Sequence, residues 1–567
     1  MSLVFEIFGY SPTIALVLFL LLPLLAAYLY TQLYYYRFKQ HASWPQPQPS
    51  LLWGHLKVMH QAIQEYAELR RTDAALTKIW ESLGKPSAFI LDLRPAERVL
   101  CIVASHEVAE QFVQPSKQFP YSVSKSPTMQ QFTDLIGKGP IITREEMEWK
   151  MLRKRFNPGF AFPHLIGLLP VILDRVWRFM DQLDVRAQSG EVFRFGDLCN
   201  SVTYEIICAV TLGVDLNNQS DVSRQSEIGR LYWKLLSSYL DGDSAIFWTD
   251  PRIKRRRKAL AAKLNPLIKT YVEEKFFDSH GKPLTDDTVR ISKTIVGLSL
   301  RGTEELTPDI LDSTCDQVKV FLFAGQDTTS TLLQWATYEL SRTPHVLKAL
   351  HAELDRIFGP NSGPGDIRQR LISEGAVVIG QMSYLSAIIK ETLRLHPPGA
   401  TARMAAPGSG ESVRLTDGQQ LYIDGLIIYN CLSMVQRDTL VYGETRNDFM
   451  PERWLNKTEM SSFPATAWRP FERGPRSCIG QELANIEARV ILACIVRRYD
   501  FSKVGLGETD YSANGEPTLN NKGQYKVLSE LYDAREVTLK PVDGMRMRVK
   551  FSPKVHEASA SENVYRN

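Results

Sequence analysis

A helical pattern that opens at Thr307-Pro308 and is stopped by Pro344 sets the tightest limit on how this chain can fold. Thr307 is a good N-cap and Pro308 suits the first helical position. From there the pattern runs unbroken to Ser341, about 50 Å at 1.5 Å per residue. Val318 to Leu322 and Leu332 to Ala336 make it apolar around much of its girth, so it must cross the middle of a large body. The chain has the material for one: 567 residues, 44% hydrophobic and 23% charged, exclude a largely disordered or collagen-like polymer.

Helical periodicity dominates elsewhere, at 104–115, 144–156, 165–185, 344–358, 380–395 and 480–498. Strand-like stretches lie around 87–103, 411–430 and 537–552, so the reading is mainly α with small β-sheets. No internal repeat occurs, and low-complexity pieces are limited to Gly359–Gly365 and a polar tail, 553–567, expected to be disordered.

From Ile7 to Tyr36 no residue is charged, and Ile14 to Tyr30 is almost continuously apolar. That is enough for one helix to cross the roughly 30 Å hydrocarbon layer. A cleaved signal peptide would carry a basic leader and a shorter apolar core, whereas only Glu6 precedes the run, so an uncleaved transmembrane anchor over 1–40 is expected. Arg37 and Lys39 follow it, with Tyr28, Tyr30 and Tyr34 to Tyr36 as an aromatic belt, which places everything beyond in the cytosol. The prolines of Trp44-Pro45-Gln46-Pro47-Gln48-Pro49 predict a stiff, extended hinge over 41–50, leading into one body over 51–552.

Charge and cysteine usage narrow the function. Lys+Arg number 67 and Asp+Glu 63, a net +4 that gives no reason to expect nucleic acid. The basic run Arg252, Lys254, Arg255, Arg256, Arg257 and Lys258 reads as a solvated helix face or a contact for anionic lipid headgroups. Seven cysteines, at 101, 199, 208, 315, 431, 478 and 494, form no C-x-x-C pair, which argues against a disulfide framework or a zinc ribbon.

The most informative stretch is Phe471-Glu472-Arg473-Gly474-Pro475-Arg476-Ser477-Cys478-Ile479-Gly480, entering a helix through Gln481. Gly474 permits a tight reversal, Gly480 removes bulk where a flat cofactor lies, and the helix start points its amides at the sulfur. Arg476 and those amides favour a thiolate, and the chemistry suggested is axial ligation of iron. The competing reading is a buried structural cysteine, the commoner fate of the residue type.

This stretch resembles the signature F-x-x-G-x-R-x-C-x-G of the heme-thiolate monooxygenases, the cytochrome P-450 superfamily. Phe471, Gly474, Arg476, Cys478 and Gly480 meet all five fixed positions, and Glu472 departs from the small residue the family often has there. Other motifs follow in the family's order. Glu391-Thr392-Leu393-Arg394 and Pro451-Glu452-Arg453-Trp454 resemble the segments that form a buried Glu-Arg-Arg cluster, here Glu391, Arg394 and Arg453. Ala324-Gly325-Gln326-Asp327-Thr328-Thr329, at the centre of the long helix, is similar to the oxygen-binding groove. Small Ala324 and Gly325 would let a macrocycle approach, and Thr328 can bond back to the carbonyl of Ala324 and open the helix ladder. Asp327 and Thr328 would relay protons.

The resemblance implies the cytochrome P-450 fold, heme b (iron protoporphyrin IX) with Cys478 as its metal ligand, and heme propionates held by Trp149, Arg153, Arg403 and Arg476. It implies electrons from NADPH through a separate flavoprotein reductase docking near Lys150, Lys154 and Arg155, with cytochrome b5 as a second donor, since no G-x-G-x-x-G fingerprint or Walker loop occurs in the chain. It further implies O2 and a small lipophilic substrate, an endoplasmic reticulum location, and substrate contacts from Ser122–Leu135, Leu231–Phe247, Val318–Phe323, Ala400–Ala405 and Met545. The sequence resembles fungal microsomal members that tailor secondary metabolites more than fatty-acid or alkane hydroxylases. An isomerase or dehydratase needing no reductase, and a membrane-tethered binding protein, are the rival classes.

Overall fold

The computed structural model describes residues 12–64, 72–116, 119–219, 225–240, 250–281, 293–456, 462–535 and 538–553, which leaves the tail beyond 553 outside the described residues. Seven helices position the site: α1 (Pro12–Tyr34), α2 (Glu146–Phe156), α3 (Phe195–Leu212), α4 (Pro251–Gly281), α5 (Pro308–Arg342), α6 (Ser383–Leu395) and α7 (Gln481–Arg498). Thr307 caps α5, its hydroxyl accepting from the Ile310 amide at 3.4 Å, and Pro308 occupies the first turn, as its sequence requires. α5 is buried along most of its length between α3, α6 and α7, and a single large apolar core forms around it. The sequence reading did not anticipate α3, and of α4 it saw only a helix face at the basic run 252–258. α3 is buried on nearly every side, so it shows no polar face to set a period.

The principal sheet has four short strands in the order β1-β2-β4-β3, where β1 is Ala88–Asp92, β2 Val99–Val103, β3 Ala402–Met404 and β4 Ile427–Asn430. β1 and β2 pair antiparallel with Ile90 opposite Cys101, β2 and β4 run parallel with Leu100 opposite Ile427, and β3 sets Arg403 opposite Ile428. The segment Ser124–Ser126 lies along the free side of β3: Met404 N donates to Ser124 O at 2.9 Å, and Ser126 N to Ala402 O at 3.0 Å. That register brings Lys125 beside Arg403. A second hairpin pairs Asp533–Arg535 with β5 (Leu539–Pro541) and lies against α5.

α1 carries no charge, and Phe19 to Leu22, Leu24 and Leu25 are exposed. Among the described residues no single helix is long and apolar enough to cross a membrane. The residues after α1 are not the free flank and stiff spacer expected from the sequence. Arg37, read from the sequence as a cation flanking the span, is buried: it pairs with Asp92 at 2.6 Å and donates to the carbonyls of Leu52 at 2.9 Å and Arg94 at 2.7 Å. A burial site at the end of β1 that offers a carboxylate and several carbonyls outcompetes water for a guanidinium. The proline-rich stretch is packed down on the sheet, with Trp44 buried and the Ile90 amide donating to Pro45 O at 3.0 Å. Gly54, at φ 52°, leaves the space that Arg37 needs, since a Cβ there would stand 2.6 Å from its Nη1.

Burial raises the Asp92 carboxyl, but bonds from Arg94 and Arg37 outweigh it and hold its pKa below the ordinary value. A depressed carboxylate contributes stability above its unfolded pKa, about 4, and loses it as pH falls through the folded value. Arg37→Met, which leaves Asp92 only Arg94, is expected to lower unfolding stability by about 1–3 kcal/mol at pH 7. In urea titrations of detergent-solubilised protein this difference from wild type should shrink below pH 4.

Candidate active site around Cys478

Six of the seven cysteines are buried and Cys478 alone is exposed. Its loop is closed from both ends. The Cys478 amide donates to Phe471 O at 2.8 Å, and Gly474 turns at φ 74° where an added Cβ would lie 2.2 Å from the carbonyl oxygen of Val113. Only glycine fits both the conformation and the approach. Although Cys478 is exposed, the protein around its loop keeps water from part of the sulfur and pushes the thiol pKa up, against the amides of Gly480 and Gln481 and the charges of Arg153 and Lys125, which pull it down. This is the amide arrangement expected at the start of α7. Gly480 itself is not crowded: a Cβ there would meet only the Cys478 sulfur, at 3.8 Å.

The cations expected around a flat anionic cofactor divide into two kinds. Arg403 is fully buried, and its Nη1 donates to Ser122 Oγ and Val123 O, each at 2.7 Å. Its Nε and Nη2 have no hydrogen-bond partner among the described residues. Burial pushes its pKa down to about 10 although the Glu472 carboxylate opposes this. Arg476 is committed to protein: it pairs with the Glu145 carboxylate, donates to Arg144 O at 2.6 Å and lies 5.3 Å from the Trp149 ring. Arg153, read from the sequence as a propionate partner, instead donates to Ser477 O at 2.7 Å and so braces the cysteine loop. Trp149 is buried against Tyr121, ring centres 5.0 Å apart.

Two neighbours escaped the sequence reading. Burial, with Arg403 and Arg476 close by, pushes Lys125 down to about 7, and Glu145 receives the Lys125 amide at 2.7 Å besides holding Arg476. The signal for Lys125 was a lysine between two serines in a loop assigned to substrate; nothing local marks Glu145.

At the centre of α5, Thr328 Oγ1 donates to Ala324 O at 2.8 Å, the back-bond its spacing predicts. Thr203 on α3 donates to Gln326 O at 2.9 Å and Thr331 to Asp327 O at 3.0 Å, so three of the four carbonyls from 324 to 327 serve side chains. Ala324 is exposed and Thr328 half-exposed in the middle of an otherwise buried run. Gly325 has a different task from the one expected: a Cβ would meet Ile207 of α3 at 2.7 Å, so its smallness serves helix packing. Asp327 is buried and fully engaged, accepting from Thr538 Oγ1 at 2.5 Å and pairing with Lys540 Nζ of β5 at 2.5 Å. Neither partner was legible, because the hairpin that carries them is remote in sequence.

Glu391, Arg394 and Arg453 come together as expected, all buried. Arg394 grips the Glu391 carboxylate with two bonds of 2.8 Å, and Arg453 Nε adds a third at 2.9 Å. Trp454 Nε1 donates to the same carboxylate at 2.9 Å. The outer guanidinium nitrogens bind the carbonyls of Gln436, Arg446, Asp448 and Thr445 at 2.6 to 3.1 Å.

The sequence matches the Cytochrome P450 family over residues 56–528. The chain belongs to the cytochrome P450 family. Among relatives of this P450, Cytochrome P450 monooxygenase polC of Polytolypa hystricis is 28% identical over 84% of this chain and 86% of its own length. Cytochrome P450 monooxygenase acrF of Aspergillus aculeatus is 28% identical over 73% of this chain and 84% of its own. The crystal structure of cytochrome P450DA heme domain superposes with a TM-score of 0.68 at 19% identity, covering 90% of this chain and 98% of that one, which shows the shared fold. The protein is thus a P450 monooxygenase of fungal type, and the family implies a heme, a reductase that delivers electrons, and a substrate oxidised with O2. The residues present fit that group: an accessible sulfur faced by amides, and a buried arginine with two nitrogens awaiting an anion.

Glu391→Gln, which leaves two buried guanidinium groups short of a counter-charge, is expected to destabilise the protein by about 3–5 kcal/mol. Thermal unfolding of the heme-loaded protein, with heme retained per chain as a second measure, checks it.

Proposed function

We propose that this P450 is a membrane-anchored heme-thiolate monooxygenase that hydroxylates or epoxidises a lipophilic organic compound in fungal secondary metabolism. The observation that carries this reading is Cys478: the one exposed cysteine, in a loop closed by Gly474 and faced by the amides of Gly480 and Gln481. Cys478 would ligate the iron, and bound heme supplies the activation of O2. Phe471 closes the loop behind the sulfur by accepting the Cys478 amide. Arg403, with Arg476 and Lys125 beside it, would hold the propionates, and Trp149 and Arg153 support that region and the loop. Heme b is the form proposed.

On the distal side Thr328 holds a proton at Oγ1 and, by bonding Ala324 O, loosens the ladder where water can enter. Asp327 is the acid of the relay. Its carboxylate is held by Thr538 and Lys540, so it must exchange one of them for water to pass a proton on. Apolar and aromatic groups support a lipophilic substrate: Phe132 stacks on Phe323 with ring centres 6.2 Å apart and meets Tyr239 in a tilted contact at 5.3 Å. Residues 241–247 of the expected substrate segment lie outside the described residues.

Electrons would come from NADPH through a flavoprotein reductase, with cytochrome b5 as an auxiliary donor. Lys150 and Lys154 are exposed on α2 and suit an acidic partner, but Arg155 does not: it is turned inward to Ser299 O at 3.1 Å and Thr314 Oγ1 at 2.7 Å. The charge-free α1 supports an anchor over 1–40 in the endoplasmic reticulum membrane, with 41–50 joining it to the cytosolic body 51–552. Arg252, Lys254, Arg255, Arg256 and Lys258 are exposed on α4 and suit anionic headgroups, whereas Arg257 lies 3.6 Å over the Tyr239 ring.

The reduced, CO-bound spectrum tests the assignment: wild type is expected to show the thiolate-ligated band and Cys478→Ser to lose it. A colourless protein, or an imidazole-type spectrum, defeats it. With substrate present, Thr328→Ala is expected to divert most electrons to hydrogen peroxide, about 10- to 100-fold in the peroxide-to-product ratio if it acts as a positioned proton donor. Peroxide and product assays on the same samples measure that ratio.

A further inference from the structure

Glu472 stands where the family often has a small residue, and the structure gives it a site of its own. Its backbone is left-handed, at φ 55°, a strained conformation for a non-glycine residue. Its side chain is only 6% exposed. Every carboxylate contact is built. Arg469 donates to Oε1 from Nη2 at 2.6 Å and from Nε at 2.9 Å, while Thr401 Oγ1 and Asn430 Nδ2 donate to Oε2 at 2.9 and 3.0 Å. Burial raises the carboxyl, but the charges of Arg469 and Arg403 and the bonds from Arg469 and Thr401 keep it ionised, with its pKa below the ordinary range.

This anion is therefore fixed in the protein's interior on Thr401, two residues before Arg403, the cation whose Nε and Nη2 have no partner among the described residues. Arg469 does not serve Glu472 alone, since it also pairs at 2.8 Å with Glu110, a carboxylate that Arg473 shares at 3.1 Å. A buried negative charge that acts on Arg403 without taking its open nitrogens reduces the positive field the arginine projects, yet leaves it free to bind a propionate.

We propose that Glu472 is a positioning residue that sets the electron affinity of the heme site, holding its reduction potential below the value the Arg403 cradle would otherwise give. The inference rests on the heme-thiolate reading above. Its physical basis is that a ferrous site carries one more electron than a ferric site, and a nearby buried carboxylate disfavours that electron. A low potential in the resting protein delays reduction until substrate arrives.

Glu472→Gln isolates the charge. It is isosteric, and Asn430 Oδ1 has no partner, so the Asn430 amide can turn over and accept from the new Nε2 while Thr401 rotates its hydroxyl. Glu472→Gly removes the same charge and the strained backbone together, and serves if the glutamine variant does not fold. The measurement is spectroelectrochemical titration of the full-length, heme-loaded protein without substrate. In either variant the ferric-to-ferrous equilibrium is expected to shift toward ferrous about tenfold, an upward move of about 59 mV for one electron. Thermal unfolding of the same samples reports the structural cost, which differs between Gln and Gly while the potential shift does not. A shift under about twofold in both variants, or a shift that tracks stability instead of charge, overturns the proposal. Absence of a thiolate-ligated CO spectrum in wild type overturns the heme-thiolate reading itself, a separate result.

Discussion

The carboxylate of Glu391 is the contact from which order spreads to the reactive loop. It accepts from Arg394, Arg453, Trp454 and the Met450 amide, so a full set of donors compensates its burial. The same arginines hold the carbonyls of 436, 445, 446 and 448, fixing an irregular segment that has no sheet or long helix to satisfy it. Gln436 carries the constraint onward. Its Nε2 binds the last carbonyls of α6, Leu393 and Arg394, and its Oε1 accepts the Arg469 amide at 2.9 Å. Arg469 reaches Glu472, and six residues later comes Cys478. A hydrogen-bonded path thus runs from a buried ion cluster to Glu472 in the cysteine loop, and each member would be costly to leave unpaired.

The second constraint is the crossing helix α5. Its apolar girth fixes where the body's core lies, and only its centre breaks the pattern. There Ala324 and Thr328 stay accessible, Asp327 turns to the β5 hairpin, and Gly325 receives Ile207. Within these five positions Ala324 and Thr328 share the accessible face, while Asp327 makes an ion pair and Gly325 a packing contact on other sides of the turn.

What the sequence could convey follows from this division. Local chemistry was readable: the Thr307 cap, the Thr328 back-bond, the Gly474 reversal and the Glu391 cluster each rest on short spacings or on a motif in known order. Pairings across the chain were not. Lys540 with Asp327, Lys125 beside Arg403, Glu145 with Arg476, and Glu472 with Thr401 and Asn430 are set by sheet register and helix crossing, which leave no local mark. Helices buried on all sides, such as α3, hide their period for the same reason. Charge runs misled wherever one member turned inward, as Arg37, Arg155 and Arg257 do, because composition counts cations without saying which one the core has claimed.

Arg37 also ties α1 to the sheet. With its guanidinium clamped by Asp92 and two carbonyls, and the prolines beyond it lying flat on β1, no swivel separates α1 from the globular part. Helix and body turn together, like a key and its bow. Any surface that receives α1 would thereby fix the compass bearing of the whole molecule, and a tilt of the helix would carry the sheet with it by the same angle.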